Sequence, residues 1–154
     1  MRDKIVVLDS IRSMQNVGAI FRNADGAGFK KVILCWTSPT PPRSHISKTA
    51  LWAQNWIEWE YWEDIIGVIW DYKKQGYKII ALETWEWVRD FRDSFLQSLE
   101  KVCLILWNEV SGIDKKILGL CDEIIMIPMK WKKESLNVSV AAGIAMYAFL
   151  DQKI

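Results

Sequence analysis

Leu104-Ile-Leu-Trp-Asn-Glu109 and Ile127-Pro-Met-Lys-Trp-Lys-Lys-Glu-Ser-Leu-Asn-Val-Ser-Val-Ala141 are the two stretches that decide how this chain is read. In the first, an apolar run ends directly on Asn108 and Glu109. In the second, Ser135 and Asn137 stand at the mouth of an apolar helix. A core has no use for polar groups at either place. The end of a buried strand and the start of a helix are where α/β proteins hold ligands.

The same alternation extends back through the chain. Residues 5–8 and 32–35 are short continuous apolar runs, the pattern of strands buried on both faces. Between them, Asn16 is placed to cap a helix whose inner face carries Val17, Ile20, Phe21 and Ala24, with Gly26 and Gly28 ending it. Prolines make 37–43 a loop. A short helix is predicted over 48–53, a small strand over 58–60, and a helix over 61–74 with Ile65, Ile66 and Ile69 inward. Strands follow at 77–82 and 102–106. Ser111-Gly-Ile-Asp114 opens a helix that ends near Gly119. A strand at 123–127 stops at Pro128, and a helix over 138–150 closes the chain. Strands alternating with helices predict an α/β fold, a mostly parallel sheet with helices on both faces, in one domain over 1–154.

Composition bounds the function. At 154 residues, 51% hydrophobic and 25% charged, the chain is globular and not disordered. A net charge of +1 does not mark a nucleic-acid binder, and a local basic patch is compatible with it. Cys35, Cys103 and Cys121 form no C-x-x-C pair and lie in or beside apolar runs. They read as reduced, buried thiols of a cytoplasmic protein. His45 is the only histidine, which excludes a multi-histidine metal site and a two-histidine relay. There is no signal-peptide pattern and no uncharged apolar run of membrane-spanning length. The closing helix is apolar nearly all round and rich in small residues (Ala141, Ala142, Gly143, Ala145, Ala148). It is predicted to be buried on every side, either centrally in the monomer or under a partner subunit.

Three segments combine functional residue types, and each also has an ordinary reading. In Asn16-Val-Gly-Ala-Ile-Phe-Arg-Asn23, Arg22 lies on the polar side of a helix. Taken alone it is equally a solvated charge, and Asn16 equally a cap. Trp107-Asn-Glu-Val-Ser-Gly112 is a strand end, a carboxylate and a small-residue turn, which suits a ligand loop and also a plain helix start. Lys130, Lys132 and Lys133 precede a helix N-terminus, where anions are favoured, and they also read as a solvated charge run.

Together, in order and spacing, the three segments resemble the signature motifs of the SpoU/TrmH branch of the SPOUT methyltransferases. These enzymes transfer a methyl group from S-adenosylmethionine to a ribose 2′-hydroxyl of tRNA or rRNA. Asn16, Gly18, Arg22 and Asn23 match the first motif. Asn108, Glu109, Ser111 and Gly112 match the second. Ile127, Pro128, Met129 and Glu134 to Ser139 match the third. The resemblance implies an α/β fold whose C-terminal part forms a deep trefoil knot, contrary to the general rule against threaded chains. It implies a homodimer acting on RNA in the cytoplasm, with no metal.

By the same resemblance, S-adenosylmethionine lies in the knot, held largely by backbone groups. By position these come from Leu82, Glu83, Thr84, Leu106, Trp107, Asn108, Glu109, Ile127, Pro128, Met129, Ser135 and Leu136. Arg22 acts at the ribose hydroxyl, with Asn16, Glu109, Ser135 and Asn137 organising the site. Because a guanidinium stays protonated, its expected part is to position phosphate and stabilise the forming alkoxide. Without an N-terminal RNA-binding extension, RNA is expected to be gripped by Arg12, Arg22, Arg43, Lys48, Lys130, Lys132 and Lys133.

Tryptophan departs from the family pattern, with 10 in the chain. Trp36, Trp52, Trp107 and Trp131 occupy positions where relatives usually carry glycine, and Trp56, Trp70, Trp85 and Trp87 are further candidates for glycine. Trp59 and Trp62 fit an aromatic stretch. One reading is a gene in which UGA encodes glycine. The other is authentic tryptophan, with Trp107 blocking the cofactor and the chain a catalytically inactive RNA-binding relative.

Overall fold

Strands buried on both faces belong in the middle of a sheet, and the two most apolar ones sit side by side there. β1 (Asp3–Asp9) pairs along its whole length with a strand spanning Lys101–Trp107. The computed structural model describes residues 2–84, 88–108 and 110–150. In chain order the remaining strands are β2 (Lys31–Cys35), β3 (Glu58–Trp62), β4 (Lys78–Leu82) and β5 (Arg89–Asp90), then β6, the strand at Lys101–Trp107, and β7 (Glu123–Met126). They form one sheet in the order β3-β2-β1-β6-β4-β7-β5, and every pairing is parallel. The mostly parallel sheet expected from the alternation is therefore present.

The two-residue side-chain period sorts the core into two layers. Val6, Leu8, Val32, Leu34, Leu104 and Leu106 face α1 (Met14–Gly26), α2 (Ser44–Ala50) and α5 (Val138–Tyr147). Ile5, Val7, Ile33, Cys35, Cys103 and Ile105 face α3 (Ile65–Lys74) and α4 (Lys115–Leu120). Phe21, Phe29 and Phe149 are fully buried, each stabilising the fold by about 1.5–3 kcal/mol relative to exposure.

Several helix starts differ from expectation, and capping explains them. α1 begins before Asn16 because Ser13 is the cap: its hydroxyl accepts the Asn16 backbone N–H at 3.2 Å. α2 covers 44–50 and not 48–53, because Leu51 and Trp52 both turn left-handed and end it. α3 starts at Ile65 because Asp64 accepts the Ile66 N–H at 3.0 Å, leaving Tyr61 and Trp62 in β3. Asp114, not Ser111, caps α4. The strand expected over 123–127 ends at Met126. The short β5 and a 3-10 turn at Ser94–Ser98 carry too few residues for a periodic signal.

α5 is not buried on every side within this chain. Ala142, Ala145 and Met146 are fully buried, while Val140 and Tyr147 are each about half exposed. Its inner face packs on α1, and its small residues permit that approach: a Cβ on Gly143 would stand 3.3 Å from the Asn23 side-chain nitrogen.

Candidate active site

β6 inserts between β1 and β4, so the chain reverses its direction of travel across the sheet at this point. In open parallel sheets such a switch leaves a crevice beyond the carboxyl ends of the strands. Here a pocket, partly open to solvent, lies at those ends. Leu82, Glu83 and Thr84 line it from the end of β4, and Leu106, Trp107 and Asn108 from β6. Ile127 and Met129 follow β7, Ser135 and Leu136 precede α5, and Val138 and Ala141 belong to α5.

Hydrogen bonds fix the walls. Glu83 accepts the Thr84 backbone N–H at 2.8 Å through one carboxylate oxygen. The other oxygen accepts the Ile113 N–H at 3.2 Å and the Trp107 indole N–H at 3.3 Å. One carboxylate thus ties the end of β4 to the loop after β6. Asn108 is a second hub. Its amide nitrogen donates to the Ser10 carbonyl at 3.0 Å, and its oxygen accepts from the Val110 N–H and from the N–H and hydroxyl of Ser111.

Asn137 caps α5. Its oxygen accepts the Ser139 N–H at 2.9 Å and the Ser139 hydroxyl at 2.6 Å, and its nitrogen donates to Asn16 at 3.4 Å. Asn23 donates to the Ser139 carbonyl at 2.8 Å. The first and third sequence motifs are stitched together by these two asparagine bonds. A second recess, lined by Arg12, Ser13, Asn16 and Ser111, adjoins the pocket and shares Asn108 and Val138 with it.

The residues expected at a cofactor converge with two exceptions. Pro128 is half-buried beside the pocket without lining it, and Glu109 lies outside the described residues. Gly112, Val138 and Ala141 line the pocket without having been singled out for it. Val138 and Ala141 read as ordinary core in a helix, and only the side of the helix they occupy assigns them to a wall.

Arg22 is elsewhere. It is exposed on α1 and lines a third recess with Ala19, Asn23, Lys48, Thr49 and Leu51, none of which touches the pocket. Arg12, Arg43, Lys48, Lys130, Lys132 and Lys133 are all exposed. Trp107 is only 8% exposed, packs with the α3 and α4 layer and is among the residues lining the pocket. Among the described residues there is no cluster of three or more metal-binding side chains, and no helix is long and apolar enough to cross a membrane. Burial pushes the Cys35 thiol up to about 12 and the Cys121 thiol up to about 11, so neither is a ready nucleophile.

The model of the SpoU rRNA methylase family matches residues 3–147. The chain belongs to this family. A tRNA (guanosine(18)-2′-O)-methyltransferase of Escherichia coli K12 is 30% identical over 151 residues, covering 98% of this chain. The chain spans 64% of the length of that relative. The Aquifex aeolicus TrmH/SpoU tRNA modifying enzyme superimposes with a TM-score of 0.84 at 26% identity, over 96% of this chain and 74% of the other. An AdoMet-bound rRNA methyltransferase from Sinorhizobium meliloti shares the fold with a TM-score of 0.85 at 24% identity, over 95% of this SpoU-family chain and 55% of that one.

Proposed function

We propose that this SpoU-family chain is an S-adenosylmethionine-dependent methyltransferase that methylates a ribose 2′-hydroxyl of tRNA or rRNA in the cytoplasm. One observation carries the reading. Residues from the second and third motifs form one pocket at the carboxyl ends of β4, β6 and β7, and Asn16 of the first motif is bonded to its rim. The pocket fits the cofactor in the character of its lining. Leu82, Leu106, Ile127 and Leu136 offer apolar surface to an aromatic base, strand-end backbone offers hydrogen bonds, and Glu83 offers negative charge to a cation.

The bound cofactor supplies an electrophilic methyl group on a sulfonium. The protein's part is to hold the ribose oxygen in line with that methyl, exclude water, and stabilise the negative charge that develops as the hydroxyl proton leaves. Asn108, Ser111 and Asn16 frame the recess where a ribose and its phosphate would enter. Arg12 on the same recess supplies positive charge to a phosphate, and Arg43, Lys48, Lys130, Lys132 and Lys133 extend the basic surface.

Arg22 shares no lining residue with the pocket of its own chain. In the proposed homodimer the exposed face of α5, with Val140 and Tyr147, is covered by a second copy, and the guanidinium of one copy serves the pocket of the other. The proposal includes a C-terminal trefoil knot. The insertion of β6 between β1 and β4, and the gathering at one mouth of the segments after β4, β6 and β7, support it.

The test is transfer of labelled methyl from S-adenosylmethionine to tRNA and rRNA transcripts, paired with calorimetric titration of the cofactor. Arg22→Ala is expected to abolish transfer and leave cofactor affinity nearly unchanged. Mixing it with a pocket-defective variant is expected to restore part of the activity if the two sites come from different copies. A folded chain that binds no cofactor would remove the support for methyl transfer.

A further inference from the structure

Tryptophan outnumbers glycine in this chain, 10 to 8, although glycine ordinarily makes up about 7% of residues, roughly 11 in a chain this long. The backbone shows where glycine is wanted. Among the described residues, four that are not glycine have positive φ: Ser10, Trp36 at 55°, Leu51 and Trp52 at 76°. Two of the four are tryptophan. The left-handed region crowds a Cβ against the following carbonyl, so it is open to glycine and uncommon for a bulky side chain.

At both positions the backbone is engaged and the ring is not. The Trp36 N–H donates to the Trp62 carbonyl at 3.2 Å, and the Trp36 carbonyl accepts the Tyr61 hydroxyl at 3.0 Å. The Trp36 indole is 58% exposed. The Trp52 carbonyl accepts the Asn55 N–H at 2.8 Å, and its indole is 68% exposed directly after a second left-handed residue. Trp131 is 87% exposed in the bend before α5. Trp62 differs: it packs against the α3 and α4 layer and lies 3.4 Å from where a Gly67 Cβ would stand. Trp59 lies within the edge strand β3 and is the least exposed of the solvent-facing tryptophans among the described residues. The backbone therefore separates tryptophans it treats as glycine from tryptophans the fold uses.

We infer that positions 36 and 52 are UGA codons that the source of this protein reads as glycine, while Trp59 and Trp62 are encoded by UGG. A single decoding rule changes all such positions together, whereas separate substitutions would have to strike glycine-demanding sites one at a time.

The test is to read the gene's codons and to weigh peptides of the protein isolated from its own source. UGA at 36 and 52, UGG at 59 and 62, and glycine masses at the first two are the expected result. UGG, or a tryptophan mass, at 36 or 52 overturns the inference. A second readout is thermal. The double variant W36G/W52G is expected to melt at a higher temperature than the chain with tryptophan, since glycine relieves the left-handed strain. A lower melting temperature counts against it. Neither readout depends on methyl transfer, so a failed activity assay leaves this inference standing and a failed codon assignment leaves the enzyme reading standing.

Discussion

The Asn23 side chain donates to the backbone carbonyl of Ser139 at 2.8 Å, joining α1 to the first turn of α5 across 116 residues of sequence. The carbonyl it satisfies stands two residues after Asn137, whose own side chain reaches Asn16 on the same face of α1. Asn23→Leu keeps the volume and removes the donor. The part-buried carbonyl is then left without that partner, at a cost of roughly 1–3 kcal/mol. Chemical denaturation is expected to show a lower midpoint with an unchanged slope. An unchanged midpoint would show that this bond does not hold α5 in place.

Gly18 is required by contact, not by dihedral. A Cβ there would overlap the Ile46 carbonyl oxygen and the Thr49 hydroxyl, where α1 packs on α2. Gly18→Ala, which would favour an isolated helix, is expected to destabilise the folded protein by about 1–3 kcal/mol, the usual cost of overpacking. Gly119, whose Cβ would meet nothing within 4 Å, is the control, and Gly119→Ala is expected to be neutral or stabilising.

Asp9 ends β1 next to the pocket side of the sheet. Burial raises its carboxyl above the ordinary aspartate value; the Ser10 hydroxyl lowers it, and the charge of Asp64 raises it further. A raised folded-state value means that the native protein binds more protons than the unfolded chain through that window. Stability is therefore lost as pH climbs from the ordinary aspartate range through the raised value. Asp9→Asn is expected to melt higher than the parent at pH 7, with the difference shrinking as the buffer is acidified below the aspartate range. A difference that grows on acidification would reverse the assignment.

The three thiols are predicted to be silent in the native state. Burial pushes Cys35 up to about 12 and Cys121 up to about 11, and it lifts Cys103 above the ordinary thiol range. Since the thiolate is the reactive form, an aromatic disulfide reagent at pH 8 is expected to label none rapidly in the folded protein and all three after denaturation. Fast labelling of one thiol in the native protein would show local opening at that strand or helix end.

The sheet was legible from short apolar runs, because a strand buried on both faces leaves an unbroken apolar word such as 5–8 or 102–106. Helix starts were less legible. Ser13 and Asn16 are both capping residues three apart, and only the backbone bond between them shows which one caps. The pocket was legible as a set of strand ends and a helix mouth, since Asn108, Ser135 and Asn137 are polar where their neighbours are apolar. The separation of Arg22 from that pocket was not, because a helical sequence fixes which face a residue occupies without fixing what that face meets. The Asn23–Ser139 bond carries no local signal at all, being made by two residues that only the folded topology brings together.

Glu83 carries the last expectation. Its carboxylate accepts the Thr84 and Ile113 backbone N–H groups and the Trp107 indole, holding the loop after β6 against the end of β4. Glu83→Gln retains one accepting oxygen and turns an amide toward at least one donor, while removing the negative charge from the pocket wall. Hydrogen bonds to charged groups are worth about 1.5–3 kcal/mol, so cofactor affinity is expected to fall roughly tenfold or more while the fold survives. S-adenosylmethionine carries a sulfonium that S-adenosylhomocysteine lacks. If the charge of Glu83 matters in itself, the loss is larger for the first than for the second. If Glu83 acts only by holding the loop, both affinities fall by the same factor, and calorimetric titration of the two ligands into the parent and the variant separates these cases.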